Sequence, residues 1–265
     1  MNDQNPTCST GEMMSVQLAR DIRDGEKAII GTNSDIQLAA CNLARLMHAP
    51  RLWWISGPGG MANPRNNRLV STADFENIAV SESWTDLPLT VDFIDWQIHF
   101  FDFSILSAIQ VDRYGNINTV CVGGHHRPTL RGPGTVGISA LTGLSKRFYV
   151  VVNRHDRNVF VPRVDFRCGA GFLEGGSSRE DYGLPAGGPR WVVTPLGVFD
   201  FEPGSKRMRV HALTAGVALD HVRDLTGFDL MVPEHVPISG PPTERELELL
   251  RTCIDTDGAL QRKFP

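Results

Sequence analysis

Two short apolar runs on either side of a capped helical stretch constrain this chain more than any other feature. Lys27 to Gly31 reads KAIIG and Leu52 to Ser56 reads LWWIS; each is too short for a helix and bulky enough for a buried strand. Between them, Ser34-Asp35-Ile36-Gln37 has the spacing of a capping box and opens an Ala- and Leu-rich helix to about Met47. Strand, capped helix and strand in that order form a βαβ unit, in which a crossover helix covers two parallel strands. The expected class is therefore α/β, with an open, mostly parallel sheet and flanking helices.

Similar signals recur along the chain. Ser9-Thr10-Gly11-Glu12 is another capping box, followed by Val16, Ala19 and Ile22 at helical spacing until Gly25 stops the helix. Phe100 to Val111 reads as strand and closes on Asp112 to Asn116, a turn in which Gly115 supplies positive φ, with a hairpin or tight strand exchange after it. Gly123 to Gly137 is dense in Gly and Pro, and Ile138 to Leu144 leads into a strand from Arg147 to Val152, as in a second loop-helix-strand unit. Cys168 to Pro189 is a long glycine-rich connection, which inside a compact domain suggests a functional loop. Trp191 to Thr194 resumes the sheet. Met208 to Val210, a helix from about Val217 to Leu225, and a capped helix at Thr243-Glu244-Arg245-Glu246 complete the chain. No repeat and no clear break between cores interrupts this order, so residues 1–265 are expected to form a single domain.

Composition narrows the function. Hydrophobic residues make up 41% of the 265 and charged residues 21%, as in a globular protein with a sizeable core. The net charge of -4 gives no general attraction to nucleic acid or to an anionic membrane. No run approaches the roughly 18 apolar residues of a membrane-spanning helix. The opening MNDQNPTCSTGEMM has no basic segment followed by an apolar one, so a cytoplasmic location is expected. The cysteines Cys8, Cys41, Cys121, Cys168 and Cys253 are odd in number and form no CxxC pair, which makes them small buried apolar residues by expectation.

Candidate chemistry gathers at glycines. The strand LWWIS runs into Gly57-Pro58-Gly59-Gly60, where glycine lets a backbone approach a ligand. SGPGGMA lacks the spacing of a dinucleotide-binding turn. A nest of N–H donors aimed at developing negative charge fits better, and a plain tight turn is the alternative. Ser56 sits in no G-x-S-x-G string, so it has no hydrolase elbow. His125 and His126 invite a metal, but adjacent histidines point apart and no third ligand follows at a zinc-like spacing, so no metal site is expected. Hydrogen bonding to substrate from a loop and ordinary loop structure both stay open for them. Arg127 and Arg131 flank the pair and suit a carboxylate or phosphate, while His155, Asp156 and Arg157 follow a strand at the edge where open α/β sheets bind ligands. The residues alone give a glycine-lined cleft without a self-sufficient catalytic set.

Four stretches in series carry a resemblance: AIQVDRYGNINT (Ala108 to Thr119), GGHHRP (Gly123 to Pro128), WVVTPLGVFDF (Trp191 to Phe201) and LTGFDL (Leu225 to Leu230). Together they resemble the beta subunit of class I CoA-transferases, nearest the glutaconate CoA-transferase branch, across nearly the whole chain. The resemblance implies a CoA-transferase (NagB/RpiA-like) fold, a homologous alpha subunit in an α2β2 assembly, and an active site between the subunits. In such transferases a glutamate at the strand end, within E-S-G or E-N-G, attacks acyl-CoA and carries CoA as a glutamyl thioester. Here the string is Ile55-Ser56-Gly57, and isoleucine can do neither.

A branch of the superfamily keeps the fold but hydrolyses a carbon-carbon bond in a cyclic keto acyl-CoA, opening the last ring in bacterial steroid catabolism, and the chain resembles its beta subunit. That implies a general-base carboxylate from the alpha subunit, with no certain catalytic residue on this chain. Ser56, Gly57, Gly59 and Gly60 would shape the floor near the thioester, and His125, His126 and Arg127 would contact substrate. CoA belongs to the substrate, and no separate cofactor is expected. The alternatives are a transferase that uses Glu82 or Glu76, and a non-catalytic subunit that stabilises its partner.

Overall fold

The computed structural model describes residues 8–31, 34–57, 60–72, 74–84, 100–135 and 137–264, and divides the chain into Met1–Thr90 with Gly240–Pro265 as one unit and Val91–Ser239 as the other. In the first unit, α1 (Thr10–Ala19) starts at the expected capping box: the Glu12 N–H donates to Ser9 Oγ at 3.2 Å and the Ser9 N–H to Glu12 Oε2 at 2.8 Å. The helix ends at Ala19, well before Gly25, because Asp21 and Ile22 bond to carbonyls three residues back and tighten the last turn. Arg20 leaves the helix axis there to form a two-point ion pair with Glu246 at 2.9 and 2.7 Å.

The βαβ unit is present as expected. β1 (Lys27–Ile30) and β2 (Trp53–Ser56) run parallel with Lys27 opposite Trp53 and Ile30 opposite Ser56, joined through α2 (Asp35–Met47). Ser34 does occupy the cap of α2, but its backbone (φ -117°, ψ 49°) is not extended like that of Ser9 (φ -75°, ψ 161°), and its side chain makes no cap bond. β3 (Met61–Ala62) and β4 (Ser83–Trp84) extend β2 in antiparallel sense, with the one-turn α3 (Glu76–Ala79) between them.

The C-terminal helices close this unit. Glu244–Leu249 opens on the Thr243–Glu246 capping box and continues as a π-turn over Leu250–Ile254. The helix Ala259–Lys263 packs against α1. Glu12 is 1% exposed and accepts from Arg251 at 2.7 and 3.0 Å and from Gln261 at 3.1 Å. Burial alone would raise its pKa, and these partners with the Ser9 amide hold it below the ordinary carboxylate value.

The second unit is built on β5 (Phe103–Ser107), β10 (Arg147–Val151) and β12 (Pro189–Thr194), parallel in the order β12-β10-β5. Between the first two come β6 (Gln110–Asp112), β7 (Ile117–Asn118), β8 (Cys121–Gly124), β9 (Arg127–Arg131) and α4 (Ile138–Leu144). β11 (Phe160–Val161) and α5 (Ser178–Asp181) precede β12, and β13 (Gly197–Phe201), β14 (Met208–Leu213) and α6 (Leu219–Leu225) follow it. β13 and β14 continue the sheet antiparallel. Phe103, Phe148, Tyr149, Val150 and Val192 are fully buried in the core of this mixed α/β architecture, whose central strands are parallel and whose outer strands are not.

Three expectations change. The single strand from Phe100 to Val111 is two, because the chain leaves the large sheet after Ser107 and β6 joins β7 and β11 in a small one, with Gly115 at φ 71° in the turn. The Gly- and Pro-rich stretch after Gly123 begins as the β8–β9 hairpin, and Gly123 at φ 83° accommodates its register shift. Cys168 to Pro189 is a pinned structural segment. Arg179, 3% exposed, donates to the carbonyls of Ala170, Gly171, Thr142, Gly143 and Pro185. At Gly171 a Cβ would lie 2.3 Å from the Gly115 carbonyl carbon, so glycine there serves close packing. All five cysteines are free; Cys41, Cys121 and Cys168 are buried, whereas Cys8 is half-buried and Cys253 is exposed.

Candidate functional site

The turn after β2 belongs to the first unit. Ile55 lies opposite Ile29 on one side and Ala62 on the other and is 5% exposed. Side-chain alternation puts Gly57 on the same face as Ile55, and a Cβ at Gly57 would meet Ile29 Cδ1 at 3.5 Å. Ser56 is fully buried and donates its hydroxyl hydrogen to the Thr72 carbonyl at 2.5 Å, while the Thr72 hydroxyl donates to the Gly31 carbonyl at 2.8 Å. Thr72 thus clamps the C-terminal ends of both parallel strands. The N–H groups of Gly57 and Gly60 donate to Ile30 and Ser56 carbonyls at 3.0 and 2.9 Å. Both amides are therefore already bonded, that of Gly57 to β1 and that of Gly60 within the turn, which counts against a nest built from them. Gly59 lies outside the described residues.

Of the two carboxylates weighed as substitutes, Glu82 is anchored at the wrong end of β2. It accepts from Asn63 Nδ2 at 2.7 Å and Arg65 Nη2 at 2.5 Å, with the Trp53 side chain as a further donor at the N-terminal end of the strand. The Arg65 guanidinium, with lesser help from Asn63 and Trp53, holds its carboxyl below the usual range. Glu76 is exposed on the first turn of α3, four residues beyond Thr72.

The second expected cluster belongs to the second unit. His125, His126 and Arg127 come together at the exposed tip of the β8–β9 hairpin. The two imidazoles meet edge to face, with centroids 5.5 Å apart at 88°. His125 also stacks on Phe166 at 5.4 Å, and neighbouring Asp165 accepts from the Gly123 N–H at 2.8 Å and Gln110 Nε2 at 3.1 Å. Asp165 and Phe166 brace the hairpin. Among the described residues no three His, Cys, Asp or Glu side chains gather to hold a metal ion, and no helix is long and apolar enough to cross a membrane.

The hairpin's strands, not its tip, wall a groove of about 520 Å³. Its floor is formed by Ala108 and Ile109 beyond β5 and by Val151 and Val152 at the end of β10; Val122, Thr129 and Leu130 supply the hairpin wall. Asn153, Arg154, Asp156 and Asn158 lie along the rim. This is the carboxyl edge of parallel strands, where open α/β sheets bind ligands.

Of the trio expected at that edge, only Asp156 lines the groove. Arg157 turns away and donates to the Asp224 carbonyl at 2.6 Å. His155 is 7% exposed, stacks on Phe160 at 3.8 Å, and lies 3.2 Å from Thr194 Oγ1 and 3.0 Å from Thr226 Oγ1. Burial pushes its pKa down to about 3, so it is a neutral core histidine at ordinary pH. Sequence reasoning missed the groove's apolar wall. Its signal was the alternation Val122, Leu130 on two strands hidden in a glycine-rich stretch.

Comparisons with known proteins show the family and the fold. The family model described as Coenzyme A transferase matches residues 11–225. A subunit of the 3-oxoadipate CoA-transferase of Pseudomonas knackmussii is 35% identical over 253 residues, covering 92% of each chain. The cholesterol ring-cleaving hydrolase IpdB subunit of Mycobacterium tuberculosis is 30% identical over 256 residues, covering 96% of this chain and 97% of its own. The crystal structure of glutaconate coenzyme A-transferase from Acidaminococcus fermentans matches with a TM-score of 0.88 at 25% identity, covering 96% of this chain and 97% of that one.

Proposed function

This chain belongs to the coenzyme A transferase family, and from that premise we propose that it is the beta subunit of a hydrolase that opens a cyclic keto acyl-CoA. The ring is the last one left in bacterial steroid degradation. Ile55 carries the reading: the position that the family resemblance gives to the attacking glutamate holds a buried aliphatic side chain. Ser56 is tied to Thr72, and Glu82 is tied to Asn63 and Arg65, so neither supplies a nucleophile there.

The reaction then proceeds with water. A carboxylate of the homologous alpha subunit takes a proton from water as its oxygen bonds to the ring ketone carbon. The bond from that carbon to the thioester-bearing carbon breaks, and its electron pair moves onto the latter as a thioester enolate, which the protonated base quenches. A new carboxylate forms and the CoA thioester survives. On this reading the backbone of the turn after β2 shapes the floor near the thioester, and His125, His126 and Arg127 contact substrate. The assembly is α2β2, CoA enters as part of the substrate without a resident cofactor, and an acyl-CoA substrate places the reaction in the cytoplasm.

A second reading, CoA transfer through Glu76, draws support from the 35% identity to a transferase chain and from the exposure of that carboxylate. One experiment separates them. The complex with its alpha subunit is incubated with a cyclic β-keto acyl-CoA in H₂¹⁸O, with acetate or succinate present as CoA acceptor. A single ¹⁸O in a new carboxylate with the thioester retained supports ring opening; CoA exchange onto the added acid overturns it.

A further inference from the structure

We infer that the groove at the carboxyl ends of β5 and β10 holds the alicyclic acyl part of the substrate and leaves the phosphates of CoA outside. This rests on the ring-opening reading and assigns the place where the ring is bound.

Charge is the first observation. Among the described residues, Arg154 and Asp156 are the ionisable side chains that line the groove, and they pair with each other at 2.5 Å. The groove therefore has no net charge with which to hold a pyrophosphate or a phosphomonoester, both of which call for unpaired cations or free backbone donors. A neutral body fits.

Surface chemistry is the second. Leu130 is 48% exposed on the hairpin wall, and Ala108, Ile109, Val122 and Val159 are each half-buried along the same groove. An apolar ligand would take their remaining surface out of water, which favours binding. The exposed carboxamides of Asn153 and Asn158 on the rim offer N–H donors to a ring oxygen. An apolar wall with few polar groups at its edge, enclosing about 520 Å³, suits an alicyclic keto acid.

Rigidity is the third. The hairpin wall is fixed from below, since Asp165 bonds the Gly123 amide and Phe166 stacks on His125. A wall held in place before binding discriminates by shape without an ordering cost.

The test uses calorimetry to measure binding to the assembled two-subunit complex, with four probes: a cyclic γ-keto acyl-CoA, whose ketone lies one carbon too far from the thioester for retro-Claisen cleavage, its deoxy analogue, acetyl-CoA and CoA. Leu130→Gln keeps an exposed position exposed, so folding is spared. It is expected to weaken the cyclic thioester by about tenfold and to leave acetyl-CoA and CoA within about twofold. Asn153→Ala should weaken the keto ring relative to its deoxy analogue by a similar factor. Equal weakening of all four probes would assign the groove to the pantetheine arm, and loss of the alpha subunit on size exclusion would assign it to subunit contact; either overturns the inference. So does unchanged binding of every probe in both variants. Because binding is read without turnover, ring-selective binding with no ring opening would defeat the hydrolase reading alone. Ring opening with unselective Leu130→Gln binding would defeat the groove alone.

Discussion

The Ser56 hydroxyl donates to the Thr72 carbonyl oxygen at 2.5 Å, so the polar side chain next to Ile55 is part of the strand-end clamp. With Ser56 fully buried, the hydroxyl has a structural partner and no exposure to a substrate carbonyl. Replacing it with alanine leaves the Thr72 carbonyl without its donor. Ser56→Ala should lose about 1–2 kcal/mol in urea unfolding while kcat stays within about tenfold of the parent. Abolished turnover in a stably folded variant would make Ser56 a catalytic group.

The proposed ring opening, with its base on the alpha subunit, requires neither Glu82 nor Glu76. Glu82→Gln and Glu76→Gln, assayed in the assembled complex, should each keep kcat within a few fold. Loss of turnover in Glu76→Gln with unchanged assembly would restore the transferase reading, since that carboxylate is exposed beyond the Thr72 clamp.

His155 makes stability depend on pH. Its pKa falls from the ordinary 6.5 to about 3 through burial, so below pH 6.5 the unfolded chain binds a proton that the folded chain refuses. The stabilisation is complete above 6.5 and is lost progressively as pH falls toward 3, with an upper bound of about 5 kcal/mol. Glu12, Glu82 and Glu246, held below their ordinary 4.5, and Asp200, depressed to about 2 from 3.8, add their own losses only below about pH 5.5, so the window between pH 6.5 and about 5.5 is the one the histidine dominates. His155→Phe should flatten the urea midpoint across that window. Thr194 and Thr226 keep their own acceptors, the Gly197 and Val222 carbonyls.

Arg179 gathers five carbonyls around one buried guanidinium. Arg179→Met should cost about 3 kcal/mol or more and expose residues 168–189 to limited proteolysis. Lysine should rescue little, because a single ammonium cannot reproduce the planar fork. Cleavage no faster than in the parent would show that the segment is held by its glycine packing instead.

Much of the fold was legible because local signals coincide with it. The capping boxes at Ser9 and Thr243 and the βαβ run from Lys27 to Ser56 use short-range hydrogen bonding and periodicity that the chain displays openly. Ser34 shows the limit: the right residue at the right spacing adopts the wrong ψ for its side chain to cap. The hairpin at Cys121–Arg131 was hidden because glycine and proline outweigh a two-strand alternation in any local reading. His155 looked like an edge ligand because its burial depends on Thr194 and Thr226, both distant in sequence, as well as on the nearby Phe160 ring. Ile55 was the reverse case, since a missing glutamate shows in the residue string itself.

The most direct measurement of the central claim is the intact mass of this chain after the complex is mixed with saturating acyl-CoA and quenched in acid. The unmodified mass is expected, with Ile55 leaving no carboxyl at the strand end to hold CoA. A hydroxylamine-sensitive CoA adduct on Glu76, or on any other glutamate of this chain, would contradict it.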